Sequence, residues 1–325
     1  MENGLKNHYG FVDISKGIGV ILVICSHVYY PLMEWSSPFF VPIFFFVSGY
    51  CTTREIRLKD KFVKLMVPYV IFQILLLCLY RHFRPLDFLG VIYARWCIYP
   101  LGIVPNYYLL DSGNAVLWFL PSMFCSFLLL KLIMKKNSME KWFVLGCVIM
   151  SYLMSFLPML LPWSLDTAFL MVLFLLFGIN VRKYRLLEKV SIVQILVLIV
   201  IYAVAWAFSG EVNLSVREYG TSLFILLIAS LIGCFLTVYF SRQIEESCFG
   251  NLLSKIGKQS LVLFALHLPA ISVGRHLVAV CPFKMPPLAE NALVVFLVLL
   301  IMYPVSLVVN RLVNKVTHTI SMHFL

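Results

Sequence analysis

The chain is poor in charged residues, and this scarcity excludes most classes of soluble protein. Only 13% of its 325 residues are charged, whereas 62% are hydrophobic and the mean hydropathy is +0.94. A soluble domain cannot bury so much apolar surface, but the hydrocarbon core of a bilayer covers it. We therefore expect an integral membrane protein embedded in a lipid bilayer.

The sequence also lacks the paired cysteine spacings that are typical of metal sites. Its nine cysteines are scattered singly, mostly within apolar runs, where cysteine behaves as a small hydrophobic side chain. We predict no metal site, no disulfide framework and no permanently bound cofactor. Internal repeats and low-complexity tracts are absent from the sequence, and residues 1–10 lack the pattern of a cleavable signal. We expect one membrane domain over residues 1–325, with its first apolar stretch retained as a membrane span.

Apolar segments long enough for membrane helices recur along the chain. A transmembrane helix needs about 20 apolar residues, so we predict an all-α, polytopic fold with about ten transmembrane helices. The predicted spans are 11–30, 36–52, 62–80, 115–134, 142–162, 165–181, 190–208, 220–241, 259–281 and 289–310. Residues 81–114 form the longest connection. We expect it to be non-cytoplasmic, with an interfacial helix over 88–96.

The net charge of +11 is explained by membrane topology rather than by nucleic acid as a partner. The basic residues lie between apolar segments and not in one block. Six of the 26 lysines and arginines, at positions 81, 84, 95, 217, 275 and 284, fall on one predicted face, and the other 20 fall on the face of the termini. By the positive-inside rule, both termini are predicted in the cytoplasm and the protein in the inner (cytoplasmic) cell membrane.

The first apolar segment has three ionisable side chains on one predicted helix face: Asp13, Lys16 and His27. Three helical turns separate Lys16 from His27, which places His27 roughly 16 Å deeper, near the middle of a bilayer about 30 Å thick. Ionisable groups at this depth are costly and are usually retained for function. His27 either bridges helices by a hydrogen bond or acts as a general base. Lys16 by itself is more typical of a snorkelling anchor.

The second apolar segment predicts a broken or closely packed helix. Pro42 disrupts a helix within an apolar run, and Ser48-Gly49 permits close backbone approach. A basic cluster follows, consisting of Arg54, Arg57, Lys59, Lys61 and Lys64. This cluster is either a positive-inside loop or a surface that binds a polyanion such as coenzyme A.

Three residues further along the chain are candidates for supporting the site or for contacting a substrate. His267 lies in a predicted span beside Pro269, where a structural hydrogen bond explains it as well as chemistry does. Asp166 lies at a predicted non-cytoplasmic helix end, where a carboxylate simply meets water. Trp118 fits an interfacial aromatic belt.

The opening motifs occur in the order of a known family. They are Asp13-Ile-Ser-Lys16-Gly17, His27, Pro42-Ile-Phe-Phe-Phe-Val-Ser48-Gly49-Tyr50 and Lys61-Phe-Val-Lys64-Leu-Met-Val-Pro68-Tyr69. Together they resemble the acyltransferase-3 family of integral membrane O-acyltransferases. Three later motifs resemble its fucose acetylase-like branch: Leu117-Trp118-Phe119-Leu120, Leu161-Pro162-Trp163-Ser-Leu-Asp166 and Leu266-His267-Leu-Pro269.

This resemblance implies transfer of an acetyl group from cytoplasmic acetyl-CoA to a hydroxyl of a cell-surface glycan or its lipid-linked precursor. It assigns the family's essential basic residue and histidine to Lys16 and His27. In this hypothesis His27 is the general base, and Asp13 pairs with Lys16. The residues expected to bind acetyl-CoA are Lys16, Ser48, Arg54, Arg57, Lys61 and Lys64.

The chain departs from the family pattern in two ways. Lysines stand at 16, 61 and 64 where many members have arginine, so bidentate phosphate geometry does not carry over. Phe40 stands where many members have a histidine. Other interpretations stay open: a secondary transporter of a glycan or small anion, a scaffold subunit, an enzyme using another acyl-CoA such as succinyl-CoA, or a covalent acetyl-enzyme on His27 or Ser48. The sugar, the membrane face of the acceptor and the oligomeric state are not predicted.

Overall fold

The protein is a bundle of α-helices, as the hydrophobic pattern predicts. The computed structural model describes residues 10–52, 55–81, 83–95, 97–98, 116–135, 140–280 and 285–324. The helices are α1 (Gly10–His27), α2 (Pro42–Tyr50), α3 (Leu58–Tyr80), α4 (Pro85–Tyr93), α5 (Phe119–Lys135), α6 (Glu140–Ser155), α7 (Leu165–Lys183), α8 (Leu186–Lys189), α9 (Ile192–Ala207), α10 (Leu223–Gln243), α11 (Cys248–Lys258), α12 (Ser260–Ala279) and α13 (Pro287–Phe324). Short 3-10 helices cover Pro31–Ser36 and Pro162–Ser164.

Six helical segments in the described part of the chain are long and apolar enough to cross a membrane. They are Gly10–His27, Leu58–Tyr80, Pro162–Lys183, Leu223–Gln243, Ser260–Ala279 and Pro287–Met322. Helices α5, α6 and α9 coincide with further predicted spans but have only 17, 16 and 16 residues. The total of ten spans and the cytoplasmic position of both termini therefore stay predictions.

The segment predicted as a span over 36–52 is not one continuous helix. Hydrogen-bonded turns follow the 3-10 helix Pro31–Ser36, and α2 then runs for only nine residues from Pro42. Proline lacks an N–H group and is tolerated at the first position of a helix, which is where Pro42 lies. Nine residues rise only about 13 Å, so α2 alone cannot cross a bilayer. The predicted break at Pro42 is confirmed.

Helix α1 is surrounded by α2, α10, α11, α12 and α13. The approach of α11 is so close that a Cβ atom on Gly257 would overlap the carbonyl oxygen of Asp13. A Cβ atom on Gly49 of α2 would likewise overlap the Leu175 carbonyl oxygen of α7, which confirms the predicted close backbone approach. The contact at Gly257 brings the end of α11 against the face of α1 that holds Asp13 and Lys16.

The predicted interfacial segment 88–96 forms a helix with shifted bounds. Helix α4 runs from Pro85 to Tyr93 and ends where Ala94 adopts a left-handed conformation with φ of 61°. Its apolar side chains Phe88 and Ile92 are exposed. Location at a membrane interface stays a prediction, and Trp96 and residues 99–115 lie outside the described residues.

The only strands in the described ranges form a hairpin between α9 and α10. Val212–Asn213 pairs antiparallel with Glu218–Tyr219. Turn-forming glycines at 210 and 220, both with φ of 66°, flank this hairpin. The hairpin lies at the His27 end of α1, where it forms part of a cavity wall.

Candidate active site

Lys16 and His27 open into two different cavities along α1. The Lys16 cavity has a volume of about 420 Å³, and its polar lining residues are Asp13, Lys16, Ser48, Lys64, Lys258 and Ser260. The His27 cavity has a volume of about 190 Å³, and its lining includes His27, Ser37, Phe40, Trp118, Asn213 and Ser215. Lys16 and His27, which the sequence places on one helix face, therefore line two different cavities.

The Lys16 cavity is positively charged. It is lined by three ammonium groups and one carboxylate, a net charge of +2. Lys16 Nζ lies 3.2 Å from Asp13 Oδ1, which confirms the predicted pairing of these residues. The Asp13 side chain is only 9% exposed, whereas that of Lys16 is 34% exposed. The ion pair therefore holds the Lys16 amine at the cavity wall and leaves part of it accessible to an anion.

The residues predicted to bind acetyl-CoA are only partly brought together. Ser48 and Lys64 line the Lys16 cavity. Lys61 is not among the lining residues, and its Nζ lies 3.8 Å from the ring centroid of Phe127. Arg57 is 69% exposed and approaches Asp60 at 4.0 Å, and Arg54 lies outside the described residues.

Lys258 is a lining residue that the sequence analysis missed. It follows Gly257, so the close packing of α11 on α1 carries its side chain to the cavity that holds Lys16. The sequence analysis counted Lys258 only as one of the basic residues on the face of the termini. The neighbouring Gly257 could have indicated that α11 packs closely on another helix, because a glycine in a helix permits close approach to another backbone.

The contacts of His27 favour one tautomer of its ring. Its Nδ1 lies 3.2 Å from the Ser26 hydroxyl, which can donate or accept a hydrogen bond. Its Nδ1 lies 2.9 Å from the carbonyl oxygen of Val23, and a carbonyl oxygen can only accept. In the neutral ring Nδ1 is therefore the protonated nitrogen, and Nε2 holds the lone pair. The half-buried ring of His27 lines its cavity, so the arrangement suits a general base.

His267 lies against His27, a proximity that the sequence analysis did not predict. The two ring centroids are 4.7 Å apart in an edge-to-face arrangement. His267 is fully buried, and its Nδ1 lies 2.7 Å from the Phe264 carbonyl oxygen. Among the described residues, its Nε2 has no hydrogen-bond partner. His267 therefore makes the predicted structural hydrogen bond and also supports the position of the His27 ring.

Asp166 does not mark a helix end that meets water, contrary to the sequence-based interpretation. Its carboxylate is fully buried between two guanidinium groups. Oδ1 pairs with Arg95, and Oδ2 lies 3.2 Å from Nε of Arg217. It also accepts hydrogen bonds from the backbone N–H groups of Leu161 and Thr167 at 3.2 Å and 2.9 Å. The two guanidinium charges and the two backbone hydrogen bonds stabilise the buried carboxylate of Asp166.

This buried Arg–Asp–Arg cluster supports the His27 cavity. Arg95 donates to the carbonyl oxygen of Ser215 at 2.6 Å, and Ser215 lines that cavity. Arg217 donates to the carbonyl oxygens of Leu157 and Met159 at 2.8 Å and 3.0 Å. Burial lowers the pKa of the Arg95 guanidinium from its ordinary value, and the charge of Asp166 opposes that shift. The structural role of both arginines was not predicted, because they were counted only as loop charges.

Trp118 and Phe40 also lie at the His27 cavity. Trp118 is buried and lines it, rather than belonging to an exposed aromatic belt. Phe40, which stands where many members of the resembled family have a histidine, lines the same cavity. The acceptor role assigned to Trp118 stays a prediction, but its position fits contact with a ligand beside His27.

The fold and the site define a class: a helical membrane protein whose first helix lines a cationic cavity and a second cavity that contains a histidine. A family model described as an acyltransferase domain, that of acyltransferase-3, matches residues 9–311. The chain therefore belongs to this family, and it is a membrane acyltransferase. No curated protein and no solved structure matches the chain. The family match favours the enzyme over the transporter and scaffold interpretations, whereas the fucose acetylase-like branch stays a prediction.

Proposed function

We propose that the protein transfers an acetyl group from acetyl-CoA to a hydroxyl of a cell-surface glycan or of its lipid-linked precursor. The observation that carries this proposal is the hydrogen bond from His27 Nδ1 to the Val23 carbonyl oxygen. It leaves Nε2 as the basic nitrogen of a half-buried histidine that lines a cavity of about 190 Å³. A hydroxyl in that cavity would meet a base without an added cofactor.

The donor belongs in the Lys16 cavity. Coenzyme A is a polyanion, and Lys16, Lys64 and Lys258 offer three ammonium groups to its phosphates. Lysine binds phosphate as a point charge, so we assign no bidentate geometry. Ser48 lines the same cavity, and we assign it to the acyl end of the donor. Arg57 and Lys61, which lie elsewhere, attract the donor only at longer range.

The reaction follows from these positions. Nε2 of His27 takes the proton of the acceptor hydroxyl, and the hydroxyl oxygen forms a bond with the thioester carbonyl carbon. The carbon–sulfur bond then breaks, and the departing thiolate of coenzyme A receives the proton back from the His27 imidazolium. A covalent acetyl-enzyme on His27 or Ser48 is the alternative route.

The topology that the positive-inside rule predicts gives the proposed site an orientation in the membrane. The Lys16 end of α1 lies on the face with most lysines and arginines, which is the cytoplasmic face in our topology. Acetyl-CoA therefore enters from the cytoplasm. The acceptor enters the His27 cavity from the opposite side, where Trp118 and Asn213 are placed to contact a sugar ring.

The test is glycan acetylation in cells. His27→Ala should abolish the acetyl methyl signals in proton NMR spectra of the isolated cell-surface glycan, with unchanged amounts of protein in the membrane. His276→Ala is the matched control. His276 also contacts a backbone carbonyl oxygen through Nδ1, that of Ser272 at 3.0 Å, but its side chain is exposed on α12. Retained acetylation in the His27→Ala strain refutes the proposed role.

A further inference from the structure

Three phenylalanines lie between the two cavities. Phe44 of α2, Phe119 of α5 and Phe264 of α12 all line the Lys16 cavity, and Phe264 lines the His27 cavity as well. We call these three residues the phenylalanine septum. Each side chain is buried. The septum therefore lies at the boundary between the space assigned to the donor and the space assigned to the acceptor, and Phe264 borders both.

The rings of the septum are in mutual contact. The centroid of Phe264 lies 4.0 Å from that of Phe119 and 5.7 Å from that of Phe44, and the remaining pair is 6.3 Å apart. Aromatic centroids at these separations correspond to packed rings, so a longer hydrocarbon chain would have to displace at least one of them. On the side of α1, an added Cβ atom on Gly19 would lie 3.1 Å from the Phe44 ring. The septum is therefore also packed against α1.

The septum also adjoins the histidine pair. The Phe264 ring centroid lies 5.8 Å from that of His267, whose ring contacts His27. The backbone carbonyl of Phe264 accepts the hydrogen bond of His267 Nδ1. Because Phe264 lines both cavities, its side chain lies at the boundary across which the thioester carbonyl and the hydroxyl would meet in the proposed reaction.

We propose that the phenylalanine septum limits the donor to a short acyl group, with Phe264 as the residue that sets the limit. This inference rests on the proposed function. An acyl group that extends through the Lys16 cavity toward His27 meets the septum, because its three rings line that cavity. An acetyl group ends there, whereas each further methylene requires displacement of a buried aromatic ring. Close-packed interiors resist added methylenes, so longer acyl chains bind less well.

Binding of acyl-CoA to the purified, full-length protein in lipid nanodiscs tests the proposal without an acceptor. The dissociation constants of acetyl-CoA, butyryl-CoA and hexanoyl-CoA are measured for the wild type and for Phe264→Ala. The wild type should bind acetyl-CoA at least tenfold more tightly than hexanoyl-CoA. Phe264→Ala opens space for the chain, and each methylene buried there gains about 0.8 kcal/mol, a factor of about four in affinity. The ratio of the two constants should shift at least tenfold toward hexanoyl-CoA.

A second variant and a control keep the result interpretable. Phe264→Leu retains a large apolar side chain, so it should keep the fold and shift the ratio in the same direction by a smaller amount. Phe174→Leu makes the same change at a buried phenylalanine of α7 outside both cavity linings and should leave the ratio unchanged. An equal ratio in the wild type and both Phe264 variants overturns the septum proposal alone. Absence of acetyl-CoA binding to the wild type overturns the proposed function together with it.

Discussion

Replacing Asp166 by alanine should destabilise the protein strongly, because it leaves two buried guanidinium groups without their counter-charge. Asp166 and Arg95 are fully buried, and the Arg217 side chain is 2% exposed. Removing one partner of a buried ion pair typically costs about 3–5 kcal/mol, since the charge that remains is unpaired in a medium of low dielectric constant. Asp166 has two such partners and also accepts two backbone hydrogen bonds. We therefore expect a cost at the upper end of this range.

The assay is thermal unfolding of the purified protein in detergent. A loss of this size should lower the apparent melting temperature by at least about 5 °C. Glu188→Ala is the control, because Glu188 pairs with Arg185 and Arg242 while its side chain remains 36% exposed. Exposed pairs contribute about 1 kcal/mol or less, so this control should shift the melting temperature little. Equal shifts for the two variants would contradict the interpretation of the Arg–Asp–Arg cluster as a structural element.

Two further predictions concern α11. Lys258→Gln should weaken acetyl-CoA binding about tenfold, as expected for loss of one charge-assisted contact, and the difference from wild type should shrink in high salt. Lys255→Gln changes an exposed lysine of the same helix that does not line the cavity, so it should leave the dissociation constant unchanged, and equal effects would refute the assignment. Gly257→Ala should lower the melting temperature because its Cβ atom overlaps the Asp13 carbonyl oxygen, whereas Gly146→Ala, with open space around the added atom, should preserve or raise it. Equal melting temperatures for these glycine variants would contradict the close packing of α11 on α1.

The sequence predicts the features of this protein that depend on local pattern. Apolar length locates the helices, and the missing N–H of Pro42 predicts the break before α2. The separation of Lys16 from His27 by three helical turns predicts their common face on α1. Ser48 and Lys64 were correctly expected near Lys16, since the first three helical segments follow one another closely along the chain.

Features that depend on distant parts of the chain were not predicted. His27 and His267 are 240 residues apart in sequence, and only the packing of α12 on α1 brings their rings together. Arg95, Asp166 and Arg217 come from three loops or helix ends, and charge counting cannot distinguish a buried cluster from charges in water. The phenylalanine septum was not predicted for a related reason. Phenylalanines are so common in membrane helices that Phe264 has no distinguishing pattern.

The most direct test of the central claim is acetyl transfer by the purified protein in nanodiscs. Radiolabelled acetyl-CoA is the donor, and envelope glycan from a strain that lacks the gene is the acceptor. His27→Gln should reduce the transfer rate by about 10²–10⁴-fold, the usual contribution of a general base, with an unchanged dissociation constant for acetyl-CoA. His276→Gln should transfer acetyl at the wild-type rate. A wild-type rate in the His27→Gln variant would contradict the account.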